Sequence, residues 1–359
     1  GLRVKVTFFR GFLDTLLIVP EVFRVEHEGK SYKTAADPFL NRKMSDEMQE
    51  NYGELYDDLY KLFVDYISEG RDWDENHTKE IIDNGPYALP QDAIAVGLAD
   101  SMMYPDQFET YIKSLNDEKI EIVKWAEIDR SDDYVHEWAP KKKEKIAVIY
   151  AVGNIISGKS DPGPGGSSMM GDETIVKAIK SAREDEDIKA ILLRIDSGGG
   201  SAYASDQMWR EVKKTTDLSS ATTEKDTSNI KPFIASMSGV AASGGYYIAC
   251  QADTIVAHPA TITGSIGVIG LRFNISKLLN KIGIRSDIIK NGEHSDFADG
   301  SRLVSDDERK RIQASINDVY KKFKDRVIAG RDDIPKDANL DNVALGRVFT
   351  GQRAKDGIS

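Results

Sequence analysis

An internal repeat constrains this chain more than any other feature. Residues 45–72 align without a gap on 305–332, with ten identities in 28 positions. They are Ser45/Ser305, Asp46/Asp306, Asp58/Asp318, Tyr60/Tyr320, Lys61/Lys321, Phe63/Phe323, Asp65/Asp325, and Gly70-Arg71-Asp72 against Gly330-Arg331-Asp332. Outside that block Gly1-Leu2-Arg3 mirrors Gly270-Leu271-Arg272, and Gln91 and Ala93 mirror Gln352 and Ala354. Two acidic amphipathic helices can match by chance, but matches in one order over about 90 residues point to a duplicated unit. The copies are unequal, since about 125 residues of mixed strand and helix character precede Gly270 in its copy and none precede Gly1. Residues 1–100 are therefore expected to be the second half of a first repeat, 101–144 an acidic connector with a helix around Pro105–Leu115, and 145–359 a nearly complete second copy. The ends at Gly1 and at Gly357-Ile358-Ser359 read as cut from something longer.

Within 145–359 apolar runs of strand length alternate with helical spacing. Lys145–Val152, Ala190–Ile195, Pro232–Ser236 and Thr254–Ala257 read as strands. Asp172–Glu186, with Asp172 as N-cap, Ser205–Thr215 and Ala242–Gln251 read as helices. That alternation predicts an α/β fold with parallel pairing.

At 359 residues, 40% hydrophobic and 30% charged, the chain can bury a sizeable core and has room for two domains. A net charge of −11 argues against nucleic acid as the main partner; a local basic patch could still bind a polyanion, but the one basic run, Lys141-Lys142-Lys143, reads as solvated linker. Cys250 is the only cysteine, which excludes an intrachain disulfide and a cysteine zinc site. No run approaches the roughly 18 apolar residues a spanning helix needs. Neither Met, a basic n-region nor a cleavage motif opens the chain.

Two glycine-rich turns fall at the carboxyl ends of predicted strands, where open α/β sheets place their sites. One is Asp196-Ser197-Gly198-Gly199-Gly200-Ser201; the other is Ser238-Gly239-Val240-Ala241-Ala242-Ser243-Gly244-Gly245-Tyr246. Such turns let amides approach a ligand closely. Together they supply what acyl transfer needs: Ser243 at a helix N-terminus, the Gly244 amide facing the developing oxyanion, and a second amide from Gly199 or Gly200. Each cluster alone is also what an ordinary tight turn looks like.

The serine needs a base. Of the five histidines, His27, His77, His136 and His294 lie in polar stretches, and His258 reads as a strand end before Pro259. None has the setting of a triad histidine. A lysine serves if desolvation brings its pKa towards neutrality, and Lys33 lies among small residues in Ser31-Tyr32-Lys33-Thr34-Ala35-Ala36. Most lysines are solvated surface charges, so composition alone does not select it. One further motif fails on context. Gly153–Ser160 fits GxxxxGK[ST], but Asp161-Pro162-Gly163-Pro164-Gly165-Gly166 follows and forbids the helix a phosphate loop requires. It reads as a surface loop.

With these residues in view, the chain resembles the long, two-repeat form of the signal peptide peptidase A (protease IV) family. Met237–Tyr247 is similar to that family's nucleophile loop. Leu193–Ser201 and Thr263-Gly264-Ser265-Ile266-Gly267 resemble its two other signature loops, and Tyr32–Phe39 resembles its lysine segment. The resemblance implies Ser243 as nucleophile, Lys33 as general base and Ser265 as orienting the ammonium, with Gly244, Gly199 and Gly200 at the oxyanion hole. It implies the ClpP/crotonase-like fold of twisted sheets with flanking helices, no cofactor or metal, and peptide substrates such as signal peptide remnants. It also implies a homo-oligomer, a tetramer in the long form. Attachment to the bacterial inner membrane would run through a segment absent from this chain, with catalysis on the extracytoplasmic side.

Lys33 aligns with the region Glu293-His294-Ser295 of the second copy, where no lysine stands, so the base must come from the first copy, either in the same chain or in a neighbour of an oligomeric ring. Departures from the family pattern leave Lys30 as a rival base and put Gly198 where proline is usual. Rival functions are a crotonase-like acyl-CoA enzyme, which needs a catalytic acid and a CoA surface, and a non-catalytic peptide-binding scaffold.

Overall fold

The computed structural model describes residues 1–115, 122, 144–217, 219, 229–291, 294–297, 299–331 and 333–356. Lys141–Lys143, His136, Glu293, Asp332 and the Gly357–Ser359 end lie outside the described residues. The chain divides into two compact units, Tyr60–Glu144 and Leu2–Leu59 together with Lys145–Ser359.

The larger unit opens with α1 (Arg10–Thr15), β1 (Val19–Arg24), α2 (Asp37–Leu40) and the first part of α3 (Asp46–Arg71). Ser45 starts α3 by accepting the Met48 amide at 3.2 Å, as Ser305 accepts the Glu308 amide at 3.2 Å at the start of its own helix. The smaller unit holds the rest of α3, then α4 (Glu75–Asn84), α5 (Pro90–Ala95) and α6 (Pro105–Ser114). There Asp74 caps α4 by accepting the His77 amide at 3.0 Å, and Arg71 pairs with Asp100 at 2.6 Å.

From Lys145 onward the larger unit alternates. Its elements are β2 (Lys145–Val152), β3 (Asn154–Ile156), β4 (Asp161–Pro162), β5 (Ser168–Gly171), α7 (Asp172–Glu184), β6 (Ile188–Ser197), α8 (Ala202–Thr216) and β7 (Phe233–Ala242). There follow α9 (Gly244–Ala249), β8 (Thr254–Val256), β9 (Ile262–Gly264), β10 (Ile269–Asn274), α10 (Ser276–Lys281), α11 (Asp306–Gly330), β11 (Val348–Thr350) and α12 (Gly351–Asp356). The main sheet runs β11-β9-β7-β6-β2, with β8 also on β7. Its β2, β6 and β7 are parallel neighbours, and β7 pairs β8 along its first half and β9 along its second. β1 and β10 form an antiparallel pair, so the front of the chain is hydrogen-bonded to its second half.

The fold is mixed α/β, as the alternation predicts. Every second residue of the inner strands (Ile191, Leu193, Ile195; Phe233, Ala235, Met237) is buried against Ile175 and Ile179 of α7, Met208 and Val212 of α8, and Ile248 of α9. Filling this layer with large aliphatic side chains at about 1.5–3 kcal/mol each is what holds sheet and helices together. Three local expectations need correction. Asp172 is the first helical residue rather than the cap, which is Gly171, and its carboxylate instead accepts the Gly158 amide at 2.7 Å. Ala242 closes strand β7 rather than opening the next helix. The segment read as a surface loop, Gly153–Ser160, contains β3 of a small three-stranded sheet and runs into its β4, and Ile155 within it is buried.

Candidate active site

Strand β7 reaches Ser243 through a bulge. Its pairing with β6 steps from Ile195↔Met237 to Ser197↔Ala241, leaving extra residues on β7. Two β6 side chains hold them. Arg194 donates to Ser236 Oγ, the Met237 carbonyl and Ser238 Oγ at 2.8–3.0 Å, and Asp196 Oδ1 accepts the Val240 amide at 3.2 Å. The chain then turns at Ser243 with φ 53° and ψ −119°, a backbone conformation that costs a non-glycine residue about 1–3 kcal/mol. The turn is pinned by the Ser243 amide, which donates to the Gly264 carbonyl at 2.9 Å, and by α9, which starts at the next residue. Ser243 is half-buried.

Lys33 arrives from the other half of the sequence. Its neighbour Tyr32 packs into a second apolar cluster with Val25, Tyr247, Ile266, Phe323 and Leu345, and Lys33 itself is only 7% exposed. Within that burial Lys33 Nζ lies 2.9 Å from Ser243 Oγ, 2.8 Å from Ser265 Oγ and 2.9 Å from the Ser265 carbonyl. Desolvation pushes the Lys33 amine down from 10.5 to about 8. Ser265 also has a positive φ, 53°, and its amide donates to the Arg347 carbonyl at 2.6 Å.

The glycine turn abuts this group. A Cβ built on Gly199 would lie 2.8 Å from Ser243 Cβ and 2.7 Å from the Gly244 nitrogen. Ser197 Oγ donates to the Gly153 carbonyl at 2.6 Å and accepts the Gly199 amide at 3.1 Å. The Gly199 amide is therefore engaged. Among the described residues no hydrogen bond takes up the Gly200 or the Gly244 amide. Ile155 supports the turn from beneath, its amide donating to the Gly199 carbonyl and its carbonyl accepting from Ser201. This explains what the Gly153–Ser160 motif does: it carries the strand that shapes the turn.

Three Lys33 hydrogen bonds thus bring Lys33, Ser243 and Ser265 together, with Gly199, Gly200 and Gly244 beside them. Lys30 is exposed in a tight turn with His27. His27, His77 and His258 are exposed, His294 pairs with Glu308 at 3.3 Å, and no described histidine hydrogen-bonds Ser243. Among the described residues no cluster of three His, Cys, Asp or Glu side chains could hold a metal ion. Sequence reasoning passed over Ser197, Arg194, Asp196 and the Leu345-Gly346-Arg347 segment. Only Ser197 carried a usable signal, by its place at the root of a glycine run.

The model of Peptidase family S49 matches residues 1–119 and 225–357. "Serine protease SPPA, chloroplastic" from Arabidopsis thaliana is 34% identical over 99% of this chain and 50% of its own length. Protease 4 of Salmonella typhi is 30% identical over 99% of this chain and 55% of its own. The chain thus spans about half the length of the curated relatives it matches. A solved structure, ClpP1 from Listeria monocytogenes, aligns over 59% of this chain and 86% of its own at 14% identity and a TM-score of 0.26, too low to bear on the architecture. The two matched stretches hold Lys33 in one and Ser243 with Ser265 in the other, and together they cover more than half of the residues: the chain belongs to peptidase family S49.

Proposed function

We propose that this chain is a serine endopeptidase whose nucleophile is Ser243 and whose general base is Lys33. The observation that carries the reading is the 2.9 Å approach of a buried amine to the hydroxyl of a strained serine. As an ammonium, Nζ has three protons for three acceptors: Ser243 Oγ, Ser265 Oγ and the Ser265 carbonyl. As a neutral amine it keeps two for Ser265 and turns its lone pair to the Ser243 hydroxyl. Ser265 therefore selects the orientation in which the amine accepts a proton.

In the cycle Ser243 Oγ attacks a peptide carbonyl while Lys33 takes its proton. Charge developing on the carbonyl oxygen is met by the Gly244 and Gly200 amides. Lys33 returns the proton to the leaving amine, then deprotonates the water that releases the acyl group. No step calls for a metal or cofactor.

The substrate class follows the relatives and the resemblance: cleaved signal peptides and other unfolded segments at a membrane, on its extracytoplasmic side. Homotetrameric assembly and attachment through a segment outside this chain belong to the same proposal. No helix among the described residues is long and apolar enough to cross a membrane.

A fluorophosphonate probe tests the chemistry. The 359-residue chain should form one adduct, located on Ser243 by peptide mass mapping and absent from Ser243→Ala. No adduct on folded chain, or one on another serine, rejects the assignment. The rate also has a fixed pH signature. Lys33 must be neutral to act, and its pKa is lowered to about 8. Labelling should therefore quicken about tenfold per pH unit below that value and level off above it. A flat profile between pH 6 and 8, measured against an exposed-serine control peptide, would remove Lys33 from the role.

A further inference from the structure

The lysine and the nucleophile loop are tied to each other by a second polar cluster a few residues away. The Arg347 guanidinium carbon lies over the Tyr32 ring, 3.5 Å from its centroid, and its Nη2 donates to Glu50 Oε1 at 2.9 Å. Tyr32 closes the triangle by donating its hydroxyl to Glu50 Oε2 at 2.8 Å. Each corner comes from a different part of the chain: Tyr32 precedes Lys33, Glu50 is on α3, and Arg347 precedes β11. Lys30 and Glu47 also act on this cluster through charge.

The main chain at Arg347 faces the site. The Leu345 carbonyl accepts the Tyr32 amide at 2.9 Å, the Gly346 amide donates to the Ile266 carbonyl at 2.9 Å, and the Arg347 carbonyl accepts the Ser265 amide. Leu345 and Gly346 both have positive φ, 56° and 92°. A Cβ on Gly346 would lie 2.5 Å from the Lys33 nitrogen, so the two backbones are in contact. One short segment therefore touches the base on one side and its orienting serine on the other.

We infer that Tyr32, Glu50 and Arg347 form a clamp that positions the Lys33 amine against Ser243 and Ser265 and keeps it dry. This rests on the Ser–Lys reading above. The three are positioning residues: none of them reaches Ser243 or Lys33 Nζ by hydrogen bond. The physical argument is one of tolerance. Proton transfer needs the amine at hydrogen-bond distance and in the right orientation, and a displacement near 1 Å costs on the order of a hundredfold in rate. Leu345 anchors the segment in the apolar cluster and its amide donates to the Tyr320 hydroxyl at 3.2 Å, but the positive-φ backbone that follows, at Gly346, has other conformations within reach. An aromatic ring gripped by a cation, with both fixed to one carboxylate, removes them.

The test compares Arg347→Met, Arg347→Lys and Glu50→Gln with the parent chain in fluorophosphonate labelling over pH 6–11, with thermal melting in parallel. Arg347→Met and Glu50→Gln should lower the limiting labelling rate at least about tenfold, leave the half-saturating probe concentration within about threefold, and move the pH midpoint up by about one unit as water reaches Lys33. Arg347→Lys, which keeps a cation over the ring, should fall between them and the parent. A lowered melting temperature with unchanged limiting rate and midpoint would mean the cluster only stabilises the fold, and would overturn the inference. If Arg347→Met does not fold, Tyr32→Phe, which loses a single hydroxyl, carries the same comparison. A parent chain that is not labelled at Ser243 defeats the peptidase reading itself; a labelled parent with parent-like variants defeats the clamp alone.

Discussion

Lys33→Met will leave a folded chain in which Ser243 no longer reacts. The substitution keeps an unbranched side chain of similar reach in the apolar pocket but removes the lone pair that accepts the Ser243 proton. Nothing else can take over: among the described residues Lys33 Nζ is the only hydrogen-bond partner of Ser243 Oγ. The labelling rate at pH 8 should fall by about 10⁴, the upper range for loss of a general base. Retention of a tenth of the parent rate would show that another group, or water, does the work. The same variant should be the more stable protein. Burial lowers the Lys33 pKa from 10.5 to about 8, so between those values the folded chain binds fewer protons than the unfolded chain. The cost of burying the ammonium is therefore complete below about pH 8 and is relieved as pH rises towards 10.5. At pH 7 the Met variant should gain up to roughly 3 kcal/mol over the parent, and the gain should vanish near pH 10.5. A variant less stable than the parent across that whole range would mean the amine's hydrogen bonds outweigh its desolvation.

How much of this was legible in the sequence differs by element. The strand at Ile188–Ser197 is marked by an apolar run, because an inner parallel strand buries side chains under helices. Lys145–Val152 carries the same mark at the end of the sheet, where only Ile149 and Ala151 are buried. Asn154–Ile156 carries no such mark. A three-residue strand has no periodicity, and its surroundings of glycine and serine look like a loop. The pairing of Lys33 with Ser243 spans 210 positions and leaves no local pattern at all. Only resemblance to known signature loops suggested it, and the repeat narrowed the base to the first copy. The Leu345-Gly346-Arg347 segment was illegible for a different reason. A glycine before a short strand reads as a turn, and nothing local says that another backbone will lie against it. The Gly199 amide was left open beside Gly200 because choosing between them depends on where Ser197 Oγ points.

Gly199→Ala should cripple the site while Gly198→Ala, one residue earlier, should be silent. The contrast follows from space and backbone geometry. Gly199 has φ 104°, a region alanine avoids, and its added Cβ would meet the Gly244 nitrogen at 2.7 Å, Ser243 Cβ at 2.8 Å and the Ala242 carbonyl at 3.1 Å. Those atoms belong to the nucleophile turn and cannot swing aside as the tip of a flexible side chain would. Gly198 has no positive φ, and a Cβ there meets nothing within 4 Å. In Gly199→Ala the two turns must part, which withdraws the Gly200 amide from the Gly244 amide and disturbs the Ser243 backbone together. Losing one oxyanion donor costs about 10²–10³ in turnover, and the added displacement of the nucleophile puts the expected loss in labelling rate near 10³ or beyond. The fold should survive, because the turn stays tied to Ile155 through the Gly199 carbonyl and the Ser201 amide. Parallel labelling rates and melting curves of the two variants decide the matter. If Gly199→Ala labels within about threefold of Gly198→Ala, the glycine turn does not shape the site, and the oxyanion must be stabilised elsewhere.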